Sequence, residues 1–278
     1  WQSSRVALDE YWTSKGVGGY SVWPGQEDEP DRYYDDNAWI VWAALDAYEV
    51  TRDSEDLLRA VKAYDFAIDG FDMKLEGGIY WREREKLSKN ACINTPIAAT
   101  AFILYRLTKD PKYFTMGEHL VAWTKKHLQD KDGLIMDNIS VEGKVERTKW
   151  SYNTACYIRA LIERERIAPS EANRAEANRV LDAARAHWYS KGSLLMKGPG
   201  MFGQHLLDAF YEADEVLGRK DLSAFATTSI LEIAEKCADG QGLYGEDWNR
   251  KPRAGEELKL HFIASVLRVL LSARAAAK

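Results

Sequence analysis

Two parts of the sequence indicate the fold: Gly78-Ile79-Tyr80-Trp81, and Ile-Asn-Thr-Pro-Ile-Ala-Ala-Thr-Ala-Phe-Ile-Leu at residues 93–104. The second part is apolar nearly all round, which is typical of a helix that is covered on both sides. The glycine at the start suits a left-handed conformation after a helix end, so the chain can reverse and return as a brief extended segment. The stretch therefore predicts a turn that leads into a buried inner helix.

The same arrangement recurs along the chain about every 50 to 60 residues, which is the length of a helical-hairpin repeat. Glycine-led segments with apolar or aromatic residues occur at 19–23, 78–81, 133–137, 192–196 and 242–244. Helical periodicity between them predicts helices at residues 4–14, 36–50, 54–69, 91–107, 111–128, 150–166, 171–188, 202–217, 222–237 and 256–275.

The helical segments alternate in composition. Residues 93–104 and 152–161 are apolar on all sides, whereas 111–128 and 171–188 carry charges on one face. This alternation predicts an inner and an outer layer of helices. We therefore expect an all-α fold, an (α/α)6 toroid or barrel of helical hairpins, formed as a single domain by residues 1–278.

Charge and hydropathy exclude several classes of partner. The formal net charge is −5 with a pI near 5.7, and no basic run or face is present, so no nucleic-acid partner is expected. No apolar run approaches the roughly 20 residues that a membrane span requires. The first five residues lack the apolar core of a secretion signal.

The three cysteines, Cys92, Cys156 and Cys237, stand singly in apolar helical patterns. No two are close enough in sequence to form a metal knuckle or a redox motif, so we interpret all three as buried thiols. A disulfide between Cys92 and Cys156 stays open, since both lie near helix starts. No cluster of metal ligands is apparent, and we expect neither a metal nor another cofactor.

The strongest chemical signal is the acid pair Asp35 and Asp36, which aromatic residues flank and an apolar helix pattern follows at once. Two carboxyl groups beside aromatic rings are what a glycosidase needs, one to attack or protonate and one to complement it. The alternative is helix capping, because Asp in a first turn accepts from unpaired backbone N–H groups and favours the positive end of the helix dipole.

Other polar and aromatic residues near the hairpin turns are candidates for contact with a sugar. Aromatic planes bind sugar faces, while Asn, Asp and Tyr orient hydroxyl groups through hydrogen bonds. The candidates are Tyr34, Tyr80, Trp81, Asn90, Asn94, Asp137, Tyr152, Asn153, Trp23 and Trp248.

In order and spacing, several motifs resemble glycoside hydrolase family 76, whose members are endo-acting α-1,6-mannanases. The resemblance runs from about residue 33 to the last helix. It rests on Tyr34-Asp35-Asp36-Asn37-Ala38-Trp39, Gly77-Gly78-Ile79-Tyr80-Trp81, Asn94, Gly133 through Asp137, Tyr152-Asn153 and Lys197-Gly198. The resemblance implies an (α/α)6 barrel and a double displacement with retention, in which Asp35 is the nucleophile and Asp36 the acid/base.

The resemblance also implies an oligosaccharide or polysaccharide substrate, an α-mannan, and a secreted, periplasmic or cell-surface location. We expect a monomer. The chain departs from the family at Thr154-Ala155 after Tyr152-Asn153, and at Thr95-Pro96 after Asn94, which leaves the exact glycan open.

Two alternative functions remain. Sugar epimerases and isomerases on the same toroid use facing histidines as bases, and His205 and His261 both fall in expected inner helices. The second alternative is a glycan-binding α/α toroid that has lost catalysis. The presence of both acids argues against the second.

Overall fold

A computed structural model describes residues 2–276, which form ten α-helices and five short strands. The helices are α1 (Gln2–Asp9), α2 (Tyr34–Thr51), α3 (Ser54–Asp69), α4 (Ala91–Thr108), α5 (Pro111–His127), α6 (Ser151–Ile167), α7 (Glu171–Trp188), α8 (Gly200–Leu217), α9 (Lys220–Lys236) and α10 (Leu260–Ala276). The strands are β1 (Trp12–Thr13), β2 (Gly19–Tyr20), β3 (Ser88–Asn90), β4 (Asn138–Ser140) and β5 (Val145–Glu146). Each predicted helix is present.

The described chain divides into two compact units. The N-terminal unit comprises residues 2–129 and 135–148, and the C-terminal unit comprises 130–134 and 149–276. Within the first, α2 with α3 and α4 with α5 form hairpins, and α2 packs against α4. Within the second, α6 with α7 and α8 with α9 form hairpins, α6 packs against α8, and α10 contacts α8 and α9. That residues 1–278 act as a single domain stays a prediction.

Burial along the helices follows the predicted alternation. Every residue of α4 from Ala91 to Leu104 is buried, and α6 is buried over most of its length. In α5 and α7 the buried residues lie at helical spacing on one face, and charged side chains occupy the rest. A continuous apolar surface is stable only when covered on all sides, so α4 and α6 are inner helices of their units.

The glycine-led segments return to the ends of the preceding helices, as the repeat predicts. Single antiparallel bridges join Phe71 to Ile79, Gln129 to Ile135, Tyr189 to Met196 and Ala238 to Tyr244. Left-handed φ angles occur at four of the five expected glycines, Gly78, Gly133, Gly192 and Gly242. At the first segment the left-handed residue is Gly18 instead of Gly19, because β2 begins at Gly19 and pairs with β1.

Buried asparagines fasten two of these returning segments to inner helices. In α4 the Asn94 side chain accepts from the N–H of Ile79 (2.7 Å) and donates to its carbonyl oxygen (3.0 Å). In α2 the Asn37 side chain does the same with Tyr20, at 2.8 and 3.0 Å. Each amide group satisfies both backbone groups of one residue, which would otherwise be buried without partners.

Two helices are shorter than the sequence pattern predicts. Helix α1 ends at Asp9 instead of residue 14, because Trp12 and Thr13 form a strand and the Trp12 ring packs on the Tyr20 ring, with centroids 5.1 Å apart. Helix α10 begins at Leu260 instead of residue 256. There Glu256 accepts hydrogen bonds from the Arg250 guanidinium and from the Arg253 N–H, and these bonds hold a loop.

All three cysteines are buried thiols, as predicted, and the disulfide left open between Cys92 and Cys156 is not formed. Of the helices in residues 2–276, none is both long and apolar enough to cross a membrane.

Candidate active site

Asp35 and Asp36 lie in the first turn of α2 and are not its N-cap. The N-cap is Tyr33, in an extended conformation and without a side-chain capping bond. The entry to the helix is held instead by a backbone hydrogen bond from Tyr34 to the carbonyl of Trp81, at 2.9 Å. A bridge between Tyr33 and Arg82 continues this pairing. Neither acid is therefore the N-cap residue, and both lie in the first helical turn, where the capping alternative also placed an Asp.

Asp35 is held by two side-chain donors. The indole N–H of Trp81 donates to Asp35 Oδ2 at 3.0 Å, and the Cys92 thiol donates to the same oxygen at 3.3 Å. Burial raises the pKa of Asp35 above the ordinary carboxyl value. The indole, the thiol and the backbone N–H groups of Asp35 and Asp36 oppose this rise because they stabilise the anion. Asp35 is thus a half-buried acid with an anchored carboxyl group.

Asp36 has no such donors among the described residues and differs from Asp35 in its electrostatics. Loss of hydration raises the pKa of Asp36 to about 6, and the negative charges of Asp35 and Asp31 add to the effect. Because like charges at one site disfavour double ionisation, the pair holds a proton at a pH at which an isolated Asp would have lost it. Asp36 is solvent-exposed, so a substrate oxygen could reach this proton.

An aromatic surface stands beside the acid pair. The Trp81 ring is 39% exposed and meets the Tyr33 ring edge-on, with centroids 4.9 Å apart. The Arg82 guanidinium lies 4.9 Å from the centre of the Tyr33 ring and forms a bidentate ion pair with Asp31. A partly exposed indole next to a carboxyl group is the arrangement that stacks on a sugar ring and holds it in place.

Residues 9–277 match the model of glycosyl hydrolase family 76, nearly the whole chain. The chain belongs to this family. Its fold is similar to that of the GH76 α-mannanase BT2949 of Bacteroides thetaiotaomicron, with a TM-score of 0.89, 28% identity, and coverage of 99% of this chain and 79% of that one. No curated protein sequence matches the chain significantly.

Two further solved structures share the fold. The family 76 glycoside hydrolase (mannosidase) Bt3792 of Bacteroides thetaiotaomicron has a TM-score of 0.85 and 23% identity, over 97% of this chain and 76% of that one. The GH76A α-1,6-mannanase of Salegentibacter sp. HEL1_6 has a TM-score of 0.82 and 23% identity, over 91% and 78%. The predicted fold class, the α/α toroid of this family, and the predicted resemblance are both confirmed.

Membership of family 76 supports a glycoside hydrolase and disfavours the isomerase alternative. The two histidines lie in different surroundings. His205 is half-buried in α8, and loss of hydration, with the nearby positive charge of Arg159, lowers its pKa to about 3. His261 is exposed in the first turn of α10.

Among the predicted substrate contacts, Trp81 is the one that the structure brings into contact with the acid pair. Tyr34 is fully buried under Phe66, with ring centroids 5.0 Å apart, and is out of reach of a glycan. Tyr80 is buried as well, and its hydroxyl donates to Asp72 at 3.0 Å. These two tyrosines are therefore packing residues, Tyr34 directly before Asp35 and Tyr80 directly before Trp81 in the chain.

The predicted polar contacts of the N-terminal unit also have structural partners. Asn94 is fully buried and is engaged by the Ile79 backbone, and its side chain donates to the carbonyl of Asn90 at 2.8 Å. Asn90 is the N-cap residue of α4 and is nearly buried. Asp137 accepts at its carbonyl from the N–H of Ala91, 2.7 Å away, so it holds the start of α4. Asp137 is half-buried, and its carboxylate accepts from the Asn138 side chain at 2.9 Å.

The remaining predicted contacts are distributed as follows. Trp23 is 65% exposed on the segment that precedes α2. In the C-terminal unit Tyr152 is half-buried and packs on Phe202, with ring centroids 4.4 Å apart. Asn153 and Trp248 are fully buried there, and the Trp248 indole lies against Gly200. Burial places these last two in the core of their unit.

The sequence prediction missed Cys92 and Asp31 as members of the site. Cys92 was interpreted as a simple buried thiol, and its contact with Asp35 joins residues 57 positions apart. No spacing rule connects them. Asp31, in the loop before the acid pair, bears no pattern that separates it from other loop carboxylates.

Proposed function

We propose that this family 76 chain is a retaining endo-α-1,6-mannanase in which Asp35 is the nucleophile and Asp36 the general acid/base. One observation carries the assignment: neighbouring carboxyl groups have unlike surroundings. Asp35 accepts from an indole and a thiol, which favour its anion. Asp36 has its pKa raised to about 6, which favours its protonated form. Unlike environments for two acids are what separate nucleophile from acid in such enzymes.

The chemistry proceeds in two displacements. In the first, an electron pair of the Asp35 carboxylate forms a bond to the anomeric carbon, the bond to the leaving sugar oxygen breaks, and Asp36 gives that oxygen its proton. In the second, Asp36 takes a proton from water as the water oxygen bonds to the anomeric carbon, and the ester electron pair returns to Asp35. Two inversions restore the α-configuration.

Relatives of known structure support both the substrate class and the acid pair. The Bacteroides protein BT2949 is an α-mannanase, and the Salegentibacter enzyme is an α-1,6-mannanase. An inactive variant of the Salegentibacter enzyme, with two consecutive aspartates replaced, was crystallised with α-1,6-mannotetrose. The exposed Trp81 ring beside Asp35 supplies a surface on which a mannose ring of such a chain could stack.

The test is incubation with a panel of α-linked mannans, with chromatography of the products and NMR of the anomer that forms first. We expect internal cleavage of α-1,6-mannan and an initial α-anomer. Asp35→Ala and Asp36→Ala should bind mannotetraose yet lower turnover by at least about a thousandfold. Asp28→Asn, an exposed carboxylate in the loop before α2, is the matched control and should keep wild-type turnover.

Each contrary result has a definite meaning. A β-anomer at the start of the reaction would refute the double displacement. Binding of mannotetraose without cleavage by the wild type would make the chain a glycan-binding member of family 76. Cleavage of another α-linked mannan in place of the α-1,6 polymer would correct the linkage alone.

We also propose that the protein acts as a monomer and outside the cytoplasm. The two acids and the donors that hold one of them come from a single chain. A polymeric mannan is too large to enter a cell intact, so an endo-acting enzyme would meet it in the periplasm, at the cell surface or in the medium. Gel filtration with light scattering tests the monomer. Fractionation of the native host tests the location.

A further inference from the structure

The two donors that hold Asp35 converge on one of its two oxygens. Trp81 Nε1 and Cys92 Sγ both contact Oδ2, at 3.0 and 3.3 Å. The other oxygen, Oδ1, is buried and accepts no hydrogen bond of normal geometry from the described residues. A buried carboxylate normally has partners on both oxygens, since each buried lone pair without one costs free energy. The side-chain contacts that orient the Asp35 carboxyl group are therefore the two donors on Oδ2.

We propose that Cys92 and Trp81 are positioning residues that hold the carboxyl group of Asp35 through Oδ2. This inference rests on the proposed function, and it deepens that function by naming the residues that orient the nucleophile. A nucleophile reacts fastest when its approach to the anomeric carbon is fixed in advance, and two donors from different segments restrict the carboxyl group in this way.

Both donors are themselves fixed by backbone contacts. Trp81 donates from its N–H to the carbonyl of Ser88 at 3.1 Å and accepts from the N–H of Tyr34 at 2.9 Å. Cys92 is the second residue of α4 and is only 5% exposed. Its neighbour Ala91 is tied to the carbonyl of Asp137. The donors thus come from two separate segments that meet at the start of α2, and together they restrict rotation of the carboxyl group.

The donors act in both displacements without taking a proton from the reaction. When the ester bond forms, the carboxylate loses its negative charge, and the two hydrogen bonds keep the orientation of the Asp35 carboxyl group. When water displaces the ester, the electron pair returns to the carboxylate, whose charge the same two donors stabilise. Because hydrogen bonds to a charged group are stronger than those to a neutral ester, the donors favour departure of Asp35 in the second displacement.

Cys92 gives the sharper test because it is buried, whereas Trp81 is exposed and would also contact the sugar. The variants are Cys92→Ala, which removes the donor, and Cys92→Ser, which keeps a hydroxyl donor. Cys156→Ala is the matched control, since Cys156 is a fully buried thiol of the inner helix α6. It removes the same atom from a core without touching the acid pair. Thermal unfolding of all three variants measures the effect on stability.

The decisive measurement is an NMR titration of carboxyl-labelled Asp, with Asp35→Asn used to assign the Asp35 signal. Loss of the thiol should raise the pKa of Asp35 in Cys92→Ala, while Cys92→Ser and Cys156→Ala should stay near the wild type. The charged group that faces Asp35 is Asp36, which in turn faces Asp31, the partner of Arg82, and none of these three is altered by the variants.

Kinetics on α-1,6-mannan connect the hydrogen bond to catalysis. In Cys92→Ala we expect kcat to fall about tenfold with little change in KM, and the acidic limb of the pH profile to move to higher pH. Cys92→Ser should recover most of this loss. An unchanged Asp35 pKa and kcat in folded Cys92→Ala would overturn the inference alone. A wild type that cleaves no mannan would instead overturn the proposed function.

Discussion

The chemistry of Asp36 depends on its neighbours. Its carboxyl group is an ordinary side chain in the first turn of a helix, yet desolvation and two nearby negative charges raise its pKa to about 6. One of those charges, Asp31, is itself held by the Arg82 guanidinium, with three hydrogen bonds of 2.9 to 3.1 Å. A charge pair outside α2 therefore adds to the effects of desolvation and Asp35 on the pKa of Asp36.

This control predicts a shift in the pH dependence of catalysis. A general acid must be protonated, so kcat/KM for mannan should fall about tenfold per pH unit above a midpoint near 6. Asp31→Asn removes a negative charge and frees Arg82, and both changes favour ionised Asp36, so the basic limb should move to lower pH. Profiles from pH 4 to 9 measure it, with Asp28→Asn as control. A limb that stays in place would remove Asp31 from the site.

The same raised pKa predicts that Asp36 costs stability. Its folded pKa of about 6 exceeds the ordinary value of 3.8, so the folded state is penalised as pH rises between these values and the group ionises. Asp36→Asn should be more stable than the wild type at pH 8, by up to about 1 kcal/mol after solvent screening, and equal to it at pH 3.5. Urea unfolding at both pH values measures this. An equal gain at both would point to a cause other than charge.

At the scale of elements, the glycine-led returns share a left-handed backbone conformation but differ in the space available for a side chain at the glycine. A Cβ on Gly78, at φ +81°, would lie 2.5 Å from the Trp123 ring. At Gly192, with φ +77°, a Cβ would meet nothing within 4 Å. The two turns share one backbone requirement, and only the first also depends on close packing.

This difference predicts unequal losses of stability. Gly192→Ala should lower the free energy of unfolding by about 1 kcal/mol, the cost of a left-handed alanine. Gly78→Ala should lose about 3 kcal/mol or more, since the Trp123 ring must also move. Denaturant unfolding of the two variants compares them directly. Equal losses would show that the Trp123 ring yields without cost.

The asparagines of α2 and α4 show why motif residues are hard to interpret from sequence. Asn94 belongs to the family motif and its side chain was a reasonable candidate for binding sugar hydroxyls. The structure uses it to satisfy the Ile79 backbone, as Asn37 does for Tyr20. A sequence motif contains both catalytic residues and residues that stabilise the secondary structure. Their spacing alone does not distinguish the two kinds.

At the scale of the whole molecule, the net charge of −5 bears on the kind of substrate. A neutral mannan gains nothing from a charged surface, because long-range attraction requires charge on both partners. We therefore expect kcat/KM on α-1,6-mannan to vary less than twofold between about 20 mM and 500 mM NaCl. Initial rates at low substrate concentration measure this. A steep dependence on salt would indicate an ionic glycan, such as a phosphorylated mannan, as the true substrate.

Sequence patterns were sufficient to predict the helices, their inner and outer character, the glycine-led returns, the family and the acid pair. These features are local, since helical periodicity, turn residues and motif order are all read over short stretches of chain. The three-dimensional structure was needed to show that Trp81 and Cys92, 46 and 57 positions from Asp35, share one of its oxygens. It also showed that Tyr34, Asn94 and Trp248 are buried. Burial, hydrogen bonding and pKa depend on which distant segments of the chain pack together, and local sequence patterns do not specify this packing.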